Sequence, residues 1–102
     1  MIGVQELRTY TLVDEQAADR YAEVHWPRHA ESLRRLGIDT VGVWRTVGTP
    51  VVVAIVEYPD GADVAALTAT FMASDDFRVD MAGFDMAQIR RVEVLPLRPP
   101  LR

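Results

Sequence analysis

Two histidines four positions apart are the side chains in this sequence best suited to proton transfer. His25 and His29 stand in the segment HWPRH, and this spacing places both imidazoles on one side of a helix. Both fall on the apolar stripe of that helix, so we expect them to face the sheet and a pocket beside it. Histidine titrates near neutral pH, so such a side chain can act as a general acid or base. The alternative is that one or both are core or capping residues.

The same spacing is also half of a common metal site. A third ligand, such as Glu6 or Glu57, would have to come from a strand, and no HExxH pattern is present. We therefore predict no metal and no other cofactor, with metal or haem binding at His25 and His29 as a remaining alternative.

Charged and phenolic side chains recur within the predicted strands. Glu6, Arg8 and Tyr10 share one strand face because side chains alternate with a period of two. Arg8, or Arg45 on a neighbouring strand, would bind a carboxylate or enolate, and Tyr10 would hold a substrate oxygen. The alternative is a set of ion pairs at the rim of the sheet or at a dimer seam.

Large apolar side chains supply candidates for the walls of a pocket. Trp26 and Trp44 would provide apolar walls for an aromatic or polycyclic ligand. Phe71 is a further candidate for substrate contact, although its helical spacing is also typical of a core residue. The segment 77–86 is a candidate lid over the pocket mouth.

The elements that must position these residues follow from periodicity. Asp14 is the predicted N-cap of a helix that ends at Gly37, and Pro27 should break this helix near residues 24–26. The run VVVAIVEY at 51–58 lacks alternation, which predicts a central strand buried on both faces. The remaining strands are expected at 4–13, 38–47 and 87–97, and the remaining helices at 62–73 and 75–83.

The order βαββαβ predicts an α+β, ferredoxin-like fold, a four-stranded antiparallel sheet with helices on one face. The other face of the sheet should carry alternate side chains of three strands, either residues 41, 43 and 45, residues 53, 55 and 57, and residues 89, 91, 93 and 95, or the residues between them. Either choice leaves a mainly apolar surface, which implies a partner. We predict a homodimer joined sheet to sheet, a dimeric αβ barrel.

Composition limits the class of protein. With 102 residues, we expect one domain over 1–102. A net charge of −4 without a basic cluster argues against nucleic acid as a partner. No cysteine, signal peptide or long apolar run occurs, so we expect a soluble cytoplasmic protein that does not enter a membrane. No G-x-G-x-x-G, P-loop or G-x-S-x-G occurs either, which disfavours nucleotide cofactors and serine-hydrolase chemistry.

Three segments carry a family resemblance. ELRTYTL (6–12), GVWRT (42–46), and Tyr21 with His25 and Pro27 resemble the corresponding segments of NIPSNAP-type domains in the dimeric αβ-barrel superfamily. The resemblance implies the ferredoxin-like fold and the homodimer. Similar barrels serve as cofactor-free monooxygenases, lactone isomerases, polyketide cyclases and haem-degrading enzymes, so the resemblance also suggests a role in secondary metabolism.

Together these observations favour a cofactor-independent enzyme that acts on a small apolar organic molecule by isomerisation, cyclisation or oxygenation. His25 would be the general acid or base, with His29 as the second candidate. Tyr10 and Arg8 would orient the substrate or stabilise an oxyanion. The alternative from another class is a non-catalytic binding or accessory protein that uses the same pocket to sequester or deliver its ligand.

Overall fold

A four-stranded antiparallel sheet, in the strand order β2-β3-β1-β4, carries the helices on one face. The computed structural model describes residues 2–101. The strands are β1 (Ile2–Leu12), β2 (Asp39–Arg45), β3 (Val51–Pro59) and β4 (Ile89–Leu97). The helices are α1 (Glu15–Arg20), α2 (Trp26–Arg35), α3 (Val64–Met72) and α4 (Asp75–Asp80), with a π-helical turn at Tyr21–His25 and a 3₁₀ turn at Met86–Gln88. The predicted ferredoxin-like βαββαβ fold is confirmed.

Alternation along the two central strands separates the faces of the sheet. On β3, Val52, Ala54, Val56 and Tyr58 are almost completely buried beneath the helices, together with Leu12 of β1. The other parity, which includes Val53 and Ile55, is half-buried in the single chain. The apolar run therefore forms the predicted central strand, but the helices of one chain cover only one of its faces.

The chain stays helical through Pro27, and the predicted interruption near residues 24–26 takes the form of a π-helical turn over Tyr21–His25. The N–H of Trp26 bonds to the carbonyl of Tyr21, one residue further back than in an α-helix. A proline has no N–H to donate, and this wider π-helical turn lies just before it. The N-cap at Asp14 is confirmed, since its Oδ1 accepts from Ala17 N–H at 2.8 Å.

A β-bulge shifts the pattern on β2. The register slips between Thr40 and Gly42, so Val43 and Arg45 lie opposite Ala54 and Val52 on the helix-covered face. The sequence-based assignment of residues 43 and 45 to the same face as 53, 55 and 57 is therefore wrong. Trp44 takes their place on the uncovered face, opposite Val53.

Apolar side chains form a row across the uncovered face. Leu7 pairs with Ile55 on one side and with Leu95 on the other, and Ile55 pairs with Gly42. The indole of Trp44 lies over Gly42, because a Cβ built there would be 2.6 Å from Cη2 of the indole. The row therefore continues across all four strands.

The N-cap of the first helix provides a test of the local structure. We expect Asp14→Ala to lower the free energy of unfolding by about 1 kcal/mol, because the N–H of Ala17 loses its acceptor. Asp14→Asn retains a side-chain oxygen and should stay within a few tenths of a kcal/mol of the wild type. Urea denaturation measures both, and equal losses for the two variants would contradict a capping role.

Candidate functional site

A cavity of about 350 Å³ lies between the helix-covered face of β1 and β4 and the helices α2, α3 and α4. Its walls are mainly apolar, and its mouth is framed by the half-exposed side chains of Met72, Met86, Val92 and Val94. The volume equals that of about a dozen water molecules in the liquid. The other lining residues are Glu6, Arg8, Tyr10, Tyr21, Trp26, His29, Leu33, Thr68, Phe71, Phe77, Met81 and Ile89.

A hydrogen-bonded cluster of charged and hydroxyl groups forms the polar wall. Arg8 donates to Oε1 of Glu6 from Nε at 3.2 Å and from Nη2 at 3.0 Å, and Nη2 also donates to the Tyr58 hydroxyl at 2.7 Å. Tyr58 donates to the same Glu6 oxygen at 2.9 Å and lies 3.1 Å from Oγ1 of Thr68. These bonds hold the Arg8 side chain in one position.

The third nitrogen of Arg8, Nη1, is the least engaged of the guanidinium group. Within residues 2–101 it makes no hydrogen bond of standard geometry and is not fully enclosed, while the Tyr10 hydroxyl is a looser partner of the guanidinium. Burial by itself would lower the pKa of the guanidinium, but Tyr10, Tyr58 and Glu6 more than reverse this effect and raise the pKa. Arg8 is therefore a permanently charged donor at the cavity wall.

His29 forms a dyad with a buried carboxylate. Its Nδ1 lies 3.1 Å from Oδ2 of Asp80, and Oδ1 of Asp80 accepts from the Ser32 hydroxyl at 3.0 Å. A carboxylate only accepts hydrogen bonds, so Nδ1 of His29 carries the proton. Nε2 then carries the lone pair, and it bonds to none of the described residues.

Aromatic side chains surround the His29 ring. Phe77 stacks on it with an interplanar angle of 5°, while Trp26, Tyr21 and Phe71 meet it edge-on. Burial lowers the pKa of His29, and the opposing effect of Asp80 only partly offsets this. The imidazole is therefore neutral at pH 7, which is the form that accepts a proton.

His25 is fully buried and does not line the cavity. Its Nδ1 lies 2.8 Å from the backbone oxygen of Asp80, to which it donates, and its ring meets Phe84 edge-on. Nε2 of His25 is enclosed and has no partner among residues 2–101. The two histidines thus bind the same aspartate, one through its backbone and one through its side chain.

The other six predicted site residues divide into two groups. Tyr10 and Trp26 line the cavity together with Phe71 and Arg8. Trp44 lies on the opposite face of the sheet and is half-exposed. Arg45 lies away from the cavity and pairs with Glu15 at 2.7 Å and Asp19 at 2.8 Å.

Two residues of the site were missed in the sequence. Asp80 stands on a short exposed helix among several acidic residues, and nothing in the local pattern distinguishes it. Tyr58 ends the β3 run at the same parity as the buried Val52, Ala54 and Val56, so alternation could have placed it on the helix-covered face.

Within residues 2–101, no group of three or more His, Cys, Asp or Glu side chains is arranged to hold a metal ion. No helix in the same range has the length and hydropathy needed to cross a bilayer.

Three solved structures with the same fold come from Burkholderia xenovorans and Agrobacterium tumefaciens. An uncharacterized NIPSNAP domain protein from Burkholderia xenovorans is similar with a TM-score of 0.73 and 16% identity, over 95% of this chain and 94% of that one. A NIPSNAP-like domain protein from the same organism has a TM-score of 0.71 and 23% identity, over 95% of this chain and 84% of that one. A NIPSNAP family protein from Agrobacterium tumefaciens has a TM-score of 0.70 and 16% identity, over 95% of this chain and 92% of that one.

No curated protein sequence matches this chain. The sequence model of the NIPSNAP family, in contrast, matches residues 5–100, which is nearly the whole chain. The resemblance inferred from the strand and helix segments is thereby confirmed, and the chain belongs to the NIPSNAP family.

Proposed function

We propose that this protein binds a small, mainly apolar organic molecule in the cavity and transfers a proton on it without a cofactor, with Nε2 of His29 as the general base. The observation that carries the proposal is the His29–Asp80 dyad, because it fixes a neutral imidazole with its lone pair free in an apolar enclosure. His29, the second candidate in the sequence, takes the role first assigned to His25.

Arg8 would act on the other end of the reacting group. A proton leaves the carbon next to a carbonyl for Nε2 of His29, the C–H electron pair forms a C=C bond, and the carbonyl π electrons move to oxygen. The enolate oxygen is then stabilised by N–H donors from Nη1 of Arg8. In a β,γ-unsaturated ketone the enolate is a dienolate, and return of the proton from His29 to its γ carbon completes an isomerisation. In a substrate with a second carbonyl, the enolate carbon attacks that carbonyl and the His29 imidazolium protonates the resulting alkoxide, which completes a cyclisation.

Two copies of the chain would pair through the apolar row Leu95–Leu7–Ile55 and Trp44. Leu95 is 55% exposed and Trp44 50% exposed in the single chain, and the charged residues Glu57, Arg91 and Glu93 lie beside the row on the same face. Burial of such a row stabilises association at about 25 cal/mol per Å² of apolar area. The cytoplasmic location stays a prediction.

Proton transfer is tested by hydrogen exchange on 2-acetylnaphthalene, whose acetyl protons exchange in D₂O through an enolate. We expect the wild type to accelerate this exchange and His29→Asn to reduce the acceleration by about 100-fold or more, as loss of a general base does. The asparagine amide retains a donor near the Nδ1 position and removes Nε2.

His25→Asn is the matched control, because it makes the same change outside the cavity. It should retain the exchange rate within about threefold, a change of less than 1 kcal/mol in the barrier. If both variants keep the circular dichroism of the wild type, but exchange is lost in His25→Asn and kept in His29→Asn, the general base would be His25 instead. Binding of the ketone without exchange would favour the non-catalytic binding protein.

The pH dependence of exchange tests the lowered pKa of His29. The active form is the neutral imidazole, so the rate should be flat above pH 7 and fall only below the ordinary histidine value of 6.5. Asp80→Asn removes the carboxylate that favours the imidazolium, so the midpoint should move to still lower pH and the plateau should drop. A midpoint above 6.5 in the wild type would argue against a buried neutral base.

Pairing of two copies is tested by light scattering after size-exclusion chromatography. We expect a dimeric wild type and a shift toward monomer in Leu95→Arg, because a charge at the row would be buried without a partner. Val47→Arg is the control, since Val47 is 100% exposed in the β2–β3 turn. A monomeric wild type at micromolar concentration would contradict the pairing.

A further inference from the structure

The charges of the two ionised side chains that line the cavity, Arg8 and Glu6, cancel. Arg8 is the one formally positive side chain among the described lining residues, and two of its nitrogens already bond to Glu6. Oε1 of Glu6 accepts three hydrogen bonds, two from the guanidinium and one from Tyr58, which is the pattern of a carboxylate. The positive charge of Arg8 is therefore compensated before any ligand enters.

A second carboxylate lies directly behind the cavity wall. Asp80 bonds to Nδ1 of His29 and to Ser32, both neutral groups, and its side chain is only 7% exposed. The nearby guanidinium of Arg28 reaches the backbone oxygen of Asp80, at 3.4 Å, rather than its carboxylate. No Arg or Lys side chain in the described range forms an ion pair with the Asp80 carboxylate, so the wall behind His29 holds one negative charge beyond the Glu6–Arg8 pair.

A ligand with its own negative charge would add to this excess. A carboxylate that enters an apolar cavity loses its hydration, and this loss is repaid only by a cation with free charge. A carbonyl oxygen requires only a donor, and Nη1 of Arg8 supplies one. Proton transfer to His29 then creates the imidazolium and the enolate together, so the total charge of the site does not change.

We propose that the cavity selects uncharged ligands that carry a carbonyl on an apolar or aromatic body and rejects carboxylates of the same shape. This inference rests on the proposed function for the placement of the ligand in the cavity. The rejection of carboxylates comes from the pairing of Glu6 with Arg8 and from the position of Asp80 behind His29.

Two probes of similar shape separate the alternatives, 2-acetylnaphthalene as the neutral ketone and 2-naphthoate as the anion. We expect calorimetric titration of the wild type at pH 7.5 to give at least about tenfold tighter binding of the ketone. Glu6→Gln keeps an oxygen acceptor for Arg8 and Tyr58 but frees the charge of Arg8. It should tighten naphthoate binding by about tenfold relative to ketone binding.

The wild-type comparison decides the inference even where Glu6→Gln does not fold. Naphthoate binding equal to or tighter than ketone binding overturns the charge selection and leaves the apolar ligand site intact. Failure of both probes to bind overturns the proposed function itself. Asp80→Asn, which removes the other carboxylate, should also tighten naphthoate, and an unchanged affinity in both folded variants overturns the inference.

Discussion

The anchoring of Asp80 by the π-helical turn and α2 is the interaction on which the rest of this site depends. His29 and Ser32 bind its carboxylate, and His25 binds its backbone oxygen, so three side chains of one helical segment hold the end of α4. A buried carboxylate without such partners would be strongly destabilising. The same bonds place Phe77 against the ring of His29 and thereby close one wall of the cavity.

A second polar cluster lies on the sheet, and it too provides hydrogen-bond partners for buried charged groups. Glu6, Arg8 and Tyr58 satisfy one another on the helix-covered face, where the surrounding residues are apolar. Burial raises the pKa of Tyr58, which keeps its hydroxyl protonated as the donor to Glu6. One cluster lies on the sheet and the other on the helices, so the cavity has Arg8 on one wall and His29 on another.

The features that the sequence predicted well are those that depend on local spacing. The cap at Asp14 and the positive φ of 81° at Gly37 follow from backbone groups within a few residues of each other. Alternation placed Glu6, Arg8 and Tyr10 on one face, and all three line the cavity. Pro27 correctly marked the irregular part of the helix, but the sequence did not predict that the irregularity is a π-helical turn.

By itself, the sequence determined the order of the elements, the family and the presence of two histidines on the buried side of one helix. The tertiary structure decided which histidine reaches the cavity, because Asp80 lies 51 positions from His29 in the chain and no local pattern pairs them. It also decided the positions of Trp44 and Arg45, since one bulge in β2 exchanges the two faces of the strand. Periodicity assigns faces only while the register is unbroken, and long-range contacts then determine which side chains meet.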